Sequence, residues 1–261
     1  MIKSYSVILP TLNEVGHIQK LIIDISKIFN SSNTKYEIIV VDDNSSDGTI
    51  DVVKKIQFEN SNIRIFVRTN KKKNLVKSLQ DGVKFSNNNY IIWLDADYSH
   101  PPEYINEFIQ TNNNNNYDIL VFSRFLKDSK RYFSIANTNP VMIDNMSIFL
   151  NKICQNILFK DFTDYTSGYI CIKKERLNQF PLKGYYGDYF INLIVDAKIN
   201  NLRIKELSYI EKARASGYSK TTGDKFNFII KCFFYFLAIM KSIIKKLTKF
   251  FLTKLKNKFL L

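Results

Sequence analysis

Cysteine is scarce in this chain of 261 residues, and its three cysteines stand far apart. Cys154, Cys171 and Cys232 are odd in number and show no metal-ligand spacing, which excludes a disulfide framework and a cysteine metal site. Isolated cysteines of this kind are typical of buried free thiols in a reducing compartment. The pattern of a signal peptide is also missing, because residues 1–6 run directly into a strand pattern. We therefore expect the chemistry of this protein to take place in the cytosol.

Long apolar runs and, near the end of the chain, acidic residues are missing as well. The longest charge-free run after residue 225 covers nine residues, whereas a membrane-spanning helix needs about 20. Residues 225–261 hold nine Lys and no Asp, Glu or Arg, so they supply +9 of the net charge of +14 and leave +5 for the rest. Four apolar residues recur there at helical spacing, namely Ile244, Leu247, Phe251 and Leu255. This pattern predicts a basic amphipathic helix that lies on an anionic membrane through residues 226–261, with a re-entrant segment or a helix packed on the core as alternatives.

The rest of the chain alternates between strand and helix patterns. Apolar and β-branched runs predict strands at residues 5–9, 36–41, 63–67, 90–94 and 119–122. Apolar residues three and four apart predict helices in the intervals between them. The alternation predicts βαβ units and an α/β fold with a mostly parallel sheet flanked by helices.

Length and composition suit one large domain with an appendage, which we place at residues 1–222 and 223–261. The asparagine run at residues 112–116 predicts a solvated loop. Residues 127–160 begin with basic charge and continue with helical spacing, so they predict a mobile loop that leads into a helix.

Polar clusters follow three of the predicted strands, at residues 10–14, 42–47 and 95–101. In parallel sheets, ligands bind beyond the carboxyl ends of the strands. Asp95 and Asp97 are two apart in extended chain and therefore point the same way. Such hard oxygen ligands suit Mg²⁺ or Mn²⁺ beside substrate phosphates. The alternative for this pair is a solvated loop with two acids.

Asp47 has a structural interpretation that we favour over a ligand role. It stands directly before Gly48-Thr49 at the start of a predicted helix. Aspartate is common at helix caps and in turns, so Asp47 is predicted to cap this helix.

Several ordered segments carry a family resemblance. Residues 7–14 read VILPTLNE, residues 40–49 read VVDDNSSDGT and residues 94–102 read LDADYSHPP. Residues 164–169 read DYTSGY and residues 214–220 read RASGYSK. Over about residues 4–221 the chain resembles family 2 glycosyltransferases of the GT-A fold, and among them the dolichol-phosphate mannose synthases and related polyprenyl-phosphate glycosyltransferases.

The resemblance implies a Rossmann-like GT-A (nucleotide-diphospho-sugar transferase) fold and a membrane-surface enzyme. The donor is implied to be a nucleotide sugar, foremost GDP-mannose, the cofactor Mg²⁺ or Mn²⁺, and the acceptor dolichyl or polyprenyl phosphate on the cytosolic face of a membrane. The residues implied to contact the nucleoside are Pro10, Leu12, Glu14, Val41 and Asp43. Those implied to hold metal and diphosphate are Asp95, Ala96 and Asp97. Those implied to engage the phosphates of donor and acceptor are Arg124, Arg214 and Lys220.

Three positions depart from the family pattern. Leu12 stands where the family usually has Tyr, and Ser99 where a Gln often helps to bind the metal. Residues 69–83 contain one glycine, Gly82, whereas the corresponding loop of relatives is richer in glycine. We therefore expect the metal to depend on water and the donor's phosphates for its remaining ligands.

The implied reaction is one in-line displacement with inversion at the anomeric carbon. The metal and the basic residues stabilise the departing nucleoside diphosphate. A lipid monophosphate is largely ionised at pH 7 and needs no general base, whereas a glycan hydroxyl does. Asp188 is the candidate base for a glycan acceptor, and the alternative role, which we favour, is to order a helix start.

Two further classes compete with these enzymes. A basic nucleic-acid-binding module would explain the charge of the tail. The acidic clusters at the strand ends and the lack of a nucleic-acid motif argue against it, so no nucleic-acid partner is expected. The other class is a membrane scaffold that keeps an inactive transferase fold.

Overall fold

The computed structural model describes residues 3–69, 71–131, 140–212 and 225–258. The strands are β1 (Tyr5–Thr11), β2 (Tyr36–Asp42), β3 (Ile63–Val67), β4 (Tyr90–Trp93), β5 (Ile119–Ser123), β6 (Lys130–Arg131), β7 (Ile170–Lys173), β8 (Ile204–Ser208) and β9 (Ile210–Glu211). The helices are α1 (Ile18–Ser31), α2 (Thr49–Glu59), α3 (Leu75–Phe85), α4 (Ile105–Asn114), α5 (Pro140–Ile157), α6 (Lys174–Gln179), α7 (Asp188–Ile199) and α8 (Lys225–Lys258), with a 3-10 turn at Pro102–Tyr104 before α4.

Seven strands form one sheet in the order β3-β2-β1-β4-β7-β5-β8. The pairs β1–β2, β2–β3, β1–β4 and β5–β8 are parallel, and β7 runs antiparallel to both β4 and β5. Because β7 is antiparallel to both of its neighbours, β4 and β5 run in the same direction. The carboxyl ends of β1, β2, β4 and β5 therefore meet at one edge of the sheet.

The core lies on both faces of this sheet, which is why its strands are apolar almost throughout. Successive residues of one strand enter opposite clusters, as Val40 and Val41 do in β2. One cluster lies under α1 and α4, and the other under α3 and α7. In α3, Gly82 permits close contact with β1, because a Cβ atom there would stand 2.5 Å from Cγ2 of Ile8.

The predicted α/β class and mostly parallel sheet are confirmed, and each of the five predicted strands is present. The loop expected over residues 112–116 is wrong for its first part, since α4 continues to Asn114. Asn112 is 1% exposed and follows the buried Ile105, Phe108 and Ile109 at helical spacing. An asparagine on the inner side of a helix can stay buried where it has partners, and here its amide donates to Sγ of Cys171 at 3.5 Å.

The basic tail forms one long helix, α8. Among the described residues no helix is both long and apolar enough to cross a membrane. The inner side of α8 packs on α7, with Ala238 and Ile239 in the core. Nζ of Lys245 in α8 lies 2.6 Å from Asp196 in α7. The outer side of α8 leaves a regular apolar row exposed, formed by Ile229, Phe233, Phe236, Met240, Ile244, Leu247, Phe251 and Leu255. The amphipathic prediction is therefore confirmed, membrane contact stays a prediction, and the predicted domain boundary at 222 and 223 lies outside the described residues.

Candidate active site

Hydrogen bonds tie the loop after β1 to the loop after β2. The amide of Asn13 donates to Oγ of Ser45 at 2.8 Å, and Oδ1 of Asn13 accepts from the amide of Ser46 at 3.0 Å. The amide of Glu14 donates to Oγ1 of Thr49 at 2.9 Å. Asn13 has a φ of +57°, a left-handed conformation that asparagine tolerates better than most residues. The two loops thus form one ordered rim at the carboxyl edge of the sheet.

Asp47 orders the start of α2, as predicted, although the N-cap position itself is occupied by Gly48. Its Oδ1 accepts from the amide of Thr49 at 3.0 Å and from the hydroxyl of Thr49 at 2.6 Å, and Oδ2 accepts from the amide of Val15 at 3.0 Å. Burial would raise the pKa of Asp47, but these hydrogen bonds favour its charged form and hold the pKa below the usual value.

The nucleoside contacts expected from the first two strands differ in what the side chains can offer. Pro10, Leu12 and Glu14 are partly exposed at the end of β1. Val41 is 0% exposed and belongs to the core, so a nucleoside could meet it only through its backbone. The carboxylate of Asp43, by contrast, already has protein partners.

Both oxygens of Asp43 accept hydrogen bonds from the protein. Oδ1 accepts from Nη1 of Arg68, and Oδ2 accepts from the amide of Asn74 at 2.9 Å. Nε of Arg68 also donates to Asp81 at 3.0 Å, so the guanidinium links two carboxylates. A carboxylate has about four acceptor sites, so a nucleoside would have to share Asp43 with these donors.

Asp95 and Asp97 lie in a tight loop directly after β4. The amide of Asp95 donates to Nδ1 of His100 at 3.0 Å. Oδ1 of Asp97 accepts from the amide of Ser99 at 3.0 Å and from its hydroxyl at 2.6 Å. His100 stacks on Tyr169 with ring centroids 5.1 Å apart. His100 therefore orders this loop. We did not predict this role, although His100 lies within the segment 94–102 that resembles the family.

Tyr98, between Asp97 and Ser99, holds a strained backbone. Its φ of +64° is unfavourable for a residue with a bulky side chain. Its hydroxyl donates to Oδ2 of Asp24 at 2.8 Å, and Nζ of Lys20 lies 4.7 Å from its ring centroid. Burial and the neighbouring Asp24 raise the pKa of Tyr98 to about 12, so the hydroxyl keeps its proton. These contacts of the side chain hold Tyr98 in this conformation, next to Asp97.

The two carboxylates suit a divalent cation that takes its other ligands elsewhere. Asp95 is partly exposed, and its carboxylate accepts no hydrogen bond from a described residue. Asp97 is 6% exposed and oriented through one oxygen, while Ala96 between them is 4% exposed. In the described part of the chain no group of three or more His, Cys, Asp or Glu residues could enclose a metal. Mg²⁺ commonly binds through one or two carboxylates plus phosphates and water, so the residues present fit such an ion.

Arg124 follows β5 at the same edge, and most of its guanidinium is engaged. Nε and Nη2 each lie 2.8 Å from the carboxylate of Asp164, and Nη2 also donates to Thr166 at 2.7 Å. Burial disfavours the charge of Asp164, but Arg124 outweighs this effect and lowers the pKa of the carboxyl. Nη1 faces Glu211 at 3.7 Å. A phosphate contact of Arg124 stays a prediction and would have to use the Nη1 side.

Asp188 is the first residue of α7 and is 3% exposed. Its Oδ1 accepts from the amides of Tyr185 at 3.0 Å and Tyr186 at 2.6 Å. These bonds are those of a carboxylate that orders a helix start, which agrees with the role we favoured. The role of Asp188 as a general base stays a prediction.

Buried tyrosines between these elements are the residues that we missed. Nε1 of Trp93 donates to the hydroxyl of Tyr189 at 2.9 Å, and burial together with Asp95 and Asp188 raises the pKa of Tyr189. Burial raises the pKa of Tyr209 as well, with smaller contributions from several carboxylates that include Asp95. The start of α7 therefore lies beside the end of β4, which no local sequence signal indicated. Arg214 and Lys220 lie outside the described residues.

The chain matches known proteins over most of its length. A sequence model described as glycosyl transferase family 2 matches residues 6–180. A dolichol-phosphate mannosyltransferase of Pyrococcus furiosus is 28% identical over 223 residues, which are 84% of this chain and 59% of that protein. A dolichol-phosphate mannosyltransferase of Mycosarcoma maydis is 38% identical over 104 residues, which are 38% of this chain and 35% of that protein. The chain thus spans about three fifths of one of these relatives and about a third of the other.

Solved structures share the fold. Glucosyl-3-phosphoglycerate synthase from Mycobacterium tuberculosis in complex with UDP superposes with a TM-score of 0.67 at 15% identity, over 92% of this chain and 80% of that one. The same enzyme with Mn²⁺, UDP and phosphoglyceric acid gives 0.65 at 16% identity, over 92% and 78%. At this identity the likeness confirms the predicted fold.

Proposed function

The chain belongs to glycosyl transferase family 2, and from this we propose that it moves a hexose, foremost mannose from GDP-mannose, to dolichyl or polyprenyl phosphate at a membrane surface. The observation that carries the proposal is the likeness to a dolichol-phosphate mannosyltransferase over 84% of the chain. The family model, which matches residues 6–180, includes nearly all of β1 and the whole of β2, β4 and β5, whose carboxyl ends form the candidate active site.

On the donor side, Asp95 and Asp97 would hold Mg²⁺ or Mn²⁺ beside the diphosphate, with Ala96 between them. The bound ion would stabilise the negative charge of the departing diphosphate. Ser99 supports this assignment because it orients Asp97 through two hydrogen bonds. Pro10, Leu12, Glu14, Val41 and Asp43 would border the nucleoside.

On the acceptor side, Arg124, Arg214 and Lys220 would bring positive charge to the phosphates. A lipid monophosphate carries about −1.5 to −2 charge at pH 7 and attacks without a general base. The two backbone amides that donate to Asp188 support this choice, since they favour its carboxylate as a structural acceptor at a helix start.

The membrane would be met by the exposed apolar row of α8 on the cytosolic face. This row is flanked by lysines and runs along the side of the helix that does not touch the domain. Each lysine near an anionic surface contributes about 1 kcal/mol to binding. The helix would thus keep the catalytic domain, residues 1–222, next to a lipid-borne acceptor.

The experiment is a transfer assay with full-length protein, vesicles that contain dolichyl phosphate, and radiolabelled nucleotide sugars. We expect label in a lipid fraction that mild acid releases, with Mg²⁺ or Mn²⁺ present and not with EDTA. Asp97→Asn should lower this transfer at least 100-fold, whereas Asp161→Asn, at a side chain that is 74% exposed, should leave it unchanged. Labelled glycan without labelled lipid, together with loss of transfer in a stably folded Asp188→Asn protein, would refute the lipid acceptor in favour of a glycan hydroxyl.

A further inference from the structure

Lys231 is a buried cation on the inner side of α8. It is 9% exposed, and its Nζ lies 5.0 Å from the ring centroid of Tyr186, in the turn before α7. Burial lowers the pKa of this lysine, because taking an ammonium out of water disfavours its charge. Lys241 and Lys249 of the same helix are exposed instead. Lys231 therefore brings a positive charge to a largely dry position beside the turn before α7, where the anionic group of a ligand could approach it.

Tyr235, one helical turn after Lys231, places this side of α8 against the candidate active site. A Cβ atom at Gly187 would collide with the hydroxyl of Tyr235, so the absence of a side chain at Gly187 admits the ring. The pKa of Tyr235 is raised, mainly by burial and to a smaller extent by the charge of Asp188. Arg124 acts in the opposite direction and lowers this pKa. The hydroxyl thus lies in the combined field of Asp188 and Arg124, and α8 closes over the start of α7.

Aromatic rings and a second lysine surround the same turn. Tyr185 stacks on Phe234 of α8 with centroids 5.0 Å apart and planes 9° apart. Nζ of Lys72, which comes from the segment before α3, lies 5.7 Å from the ring centroid of Tyr185. Two lysines from distant parts of the chain therefore flank residues 185 and 186, and lysine is a common phosphate ligand in proteins.

The opposite side of the same turn of α8 is apolar and exposed. Ile229 is 65% exposed and Phe233 is 57% exposed, two residues before and two residues after Lys231. One turn of helix thus offers an ammonium to the protein and apolar side chains to the exterior. A molecule with an anionic head and a long apolar tail can use both sides, whereas a free phosphate can use only the first.

We propose that Lys231 binds the phosphate of a lipid monophosphate acceptor, so that α8 forms a wall of the acceptor site as well as a membrane-facing surface. This inference rests on the proposed function, because it assigns a ligand to the acceptor side of that site. In this arrangement Lys231 is a binding residue, and Tyr235 is a positioning residue that keeps α8 on the domain.

The test measures binding of geranylgeranyl phosphate to the full-length protein by calorimetry, with geranylgeraniol and inorganic phosphate as separate arms. Lys231→Met is compared with Lys231→Arg, which keeps the charge, and with Lys241→Met, which removes the same charge from an exposed position on the same helix. Loss of one charge-assisted hydrogen bond should weaken binding of geranylgeranyl phosphate about 10- to 100-fold in Lys231→Met. Binding of geranylgeraniol should not change, and Lys241→Met should bind like the wild-type protein.

The arm with geranylgeraniol separates binding from folding. Binding of geranylgeraniol reports on folding, because a misfolded Lys231→Met protein would lose the alcohol together with the phosphate, whereas a lost phosphate contact weakens binding of geranylgeranyl phosphate alone. Equal binding by the wild-type and Lys231→Met proteins, or equal weakening by Lys241→Met, would overturn the inference, as would an Lys231→Arg protein as weak as Lys231→Met.

The transfer assay keeps the two proposals apart. If the wild-type protein forms sugar-lipid and Lys231→Met is unaffected in binding and transfer, the inference fails and the proposed function stands. If lipid phosphate binds in a Lys231-dependent manner but no sugar-lipid forms with any donor, the proposed function fails and the binding site stands. A wild-type protein that binds no geranylgeranyl phosphate overturns both.

Discussion

Replacing Asp164 by asparagine is expected to lower the free energy of unfolding by about 3–5 kcal/mol, the usual effect of breaking a buried ion pair by removing one partner. Asp164 is 0% exposed and meets Arg124 through two side-chain hydrogen bonds of 2.8 Å. It also accepts from the amide of Arg124 at 3.0 Å. The variant leaves the Arg124 guanidinium with little exposure to water and with Glu211 at 3.7 Å as its nearest carboxylate.

A matched control lies three residues away. Asp161 pairs with Lys198 at 2.7 Å, but its side chain is 74% exposed. Asp161→Asn removes the same charge from the surface, where an ion pair contributes about 0.2–1 kcal/mol. The measurement is urea unfolding of both variants at pH 7 with the slope of the transition checked for equality. Equal losses for Asp164→Asn and Asp161→Asn would refute the assignment of a buried, stabilising ion pair.

The stabilisation by the Arg124–Asp164 pair should also depend on pH. Burial alone would raise the pKa of Asp164, but Arg124 holds it below its usual range. The unfolded chain has an aspartate pKa of about 3.9. A lowered folded-state pKa means that the stabilisation is complete above about 3.9 and is lost as the pH falls through the folded value. The gap between wild-type protein and Asp164→Asn should therefore be constant from about pH 8 to 5 and shrink in acid, and a gap unchanged in acid would contradict the reasoning.

Two more predictions concern the metal loop and the packing of α3. Ser99→Ala removes a 2.6 Å hydrogen bond to Asp97 and should weaken Mn²⁺ binding about 10- to 100-fold. The measurement is the Mn²⁺-dependent thermal stabilisation of the protein in the presence of a nucleoside diphosphate. Ser99→Thr should keep the wild-type affinity for Mn²⁺, and equal affinity in the alanine variant would refute the role of Ser99 in orienting Asp97. Gly82→Ala should destabilise the protein by about 1–3 kcal/mol, because its Cβ would stand 2.5 Å from Cγ2 of Ile8. Gly16→Ala is the control, since a Cβ atom at residue 16 would have no other atom within 4 Å. Equal thermal midpoints of the two variants would contradict the packing argument.

Local pattern was sufficient for the strands whose residues enter the core on both faces. The apolar runs of β2 and β4 are continuous because helices cover both sides of the sheet, and this continuity can be read along the chain. β7 has no comparable signal. It has four residues, Ile170–Lys173, and it inserts antiparallel between β4 and β5, so its place depends on pairing partners far away in the chain.

The candidate site divides in the same manner. Asp95 and Asp97 could be proposed from sequence because both stand at the end of one strand. The commitments of Asp43 to Arg68 and of Arg124 to Asp164 could not, since the partners are 25 and 40 residues apart in the chain. Side chains that sequence alone assigned to a ligand are in both cases held by a protein partner, and only the folded arrangement shows how much hydrogen-bonding capacity each has left for a substrate.

The two sides of α8 explain why the tail was understood only in part. Ile244, Leu247, Phe251 and Leu255 repeat at helical spacing, and the structure exposes them. Residues of the inner side, such as Ala238 and Ile239, are equally apolar, so hydropathy alone cannot tell which side meets the protein. Burial of Lys231 together with Ala238 and Ile239 identifies the inner side, because a lysine on the outer side would extend into water. The helix is therefore oriented by its contacts with α7, and this orientation turns its one buried lysine of known exposure towards the candidate active site.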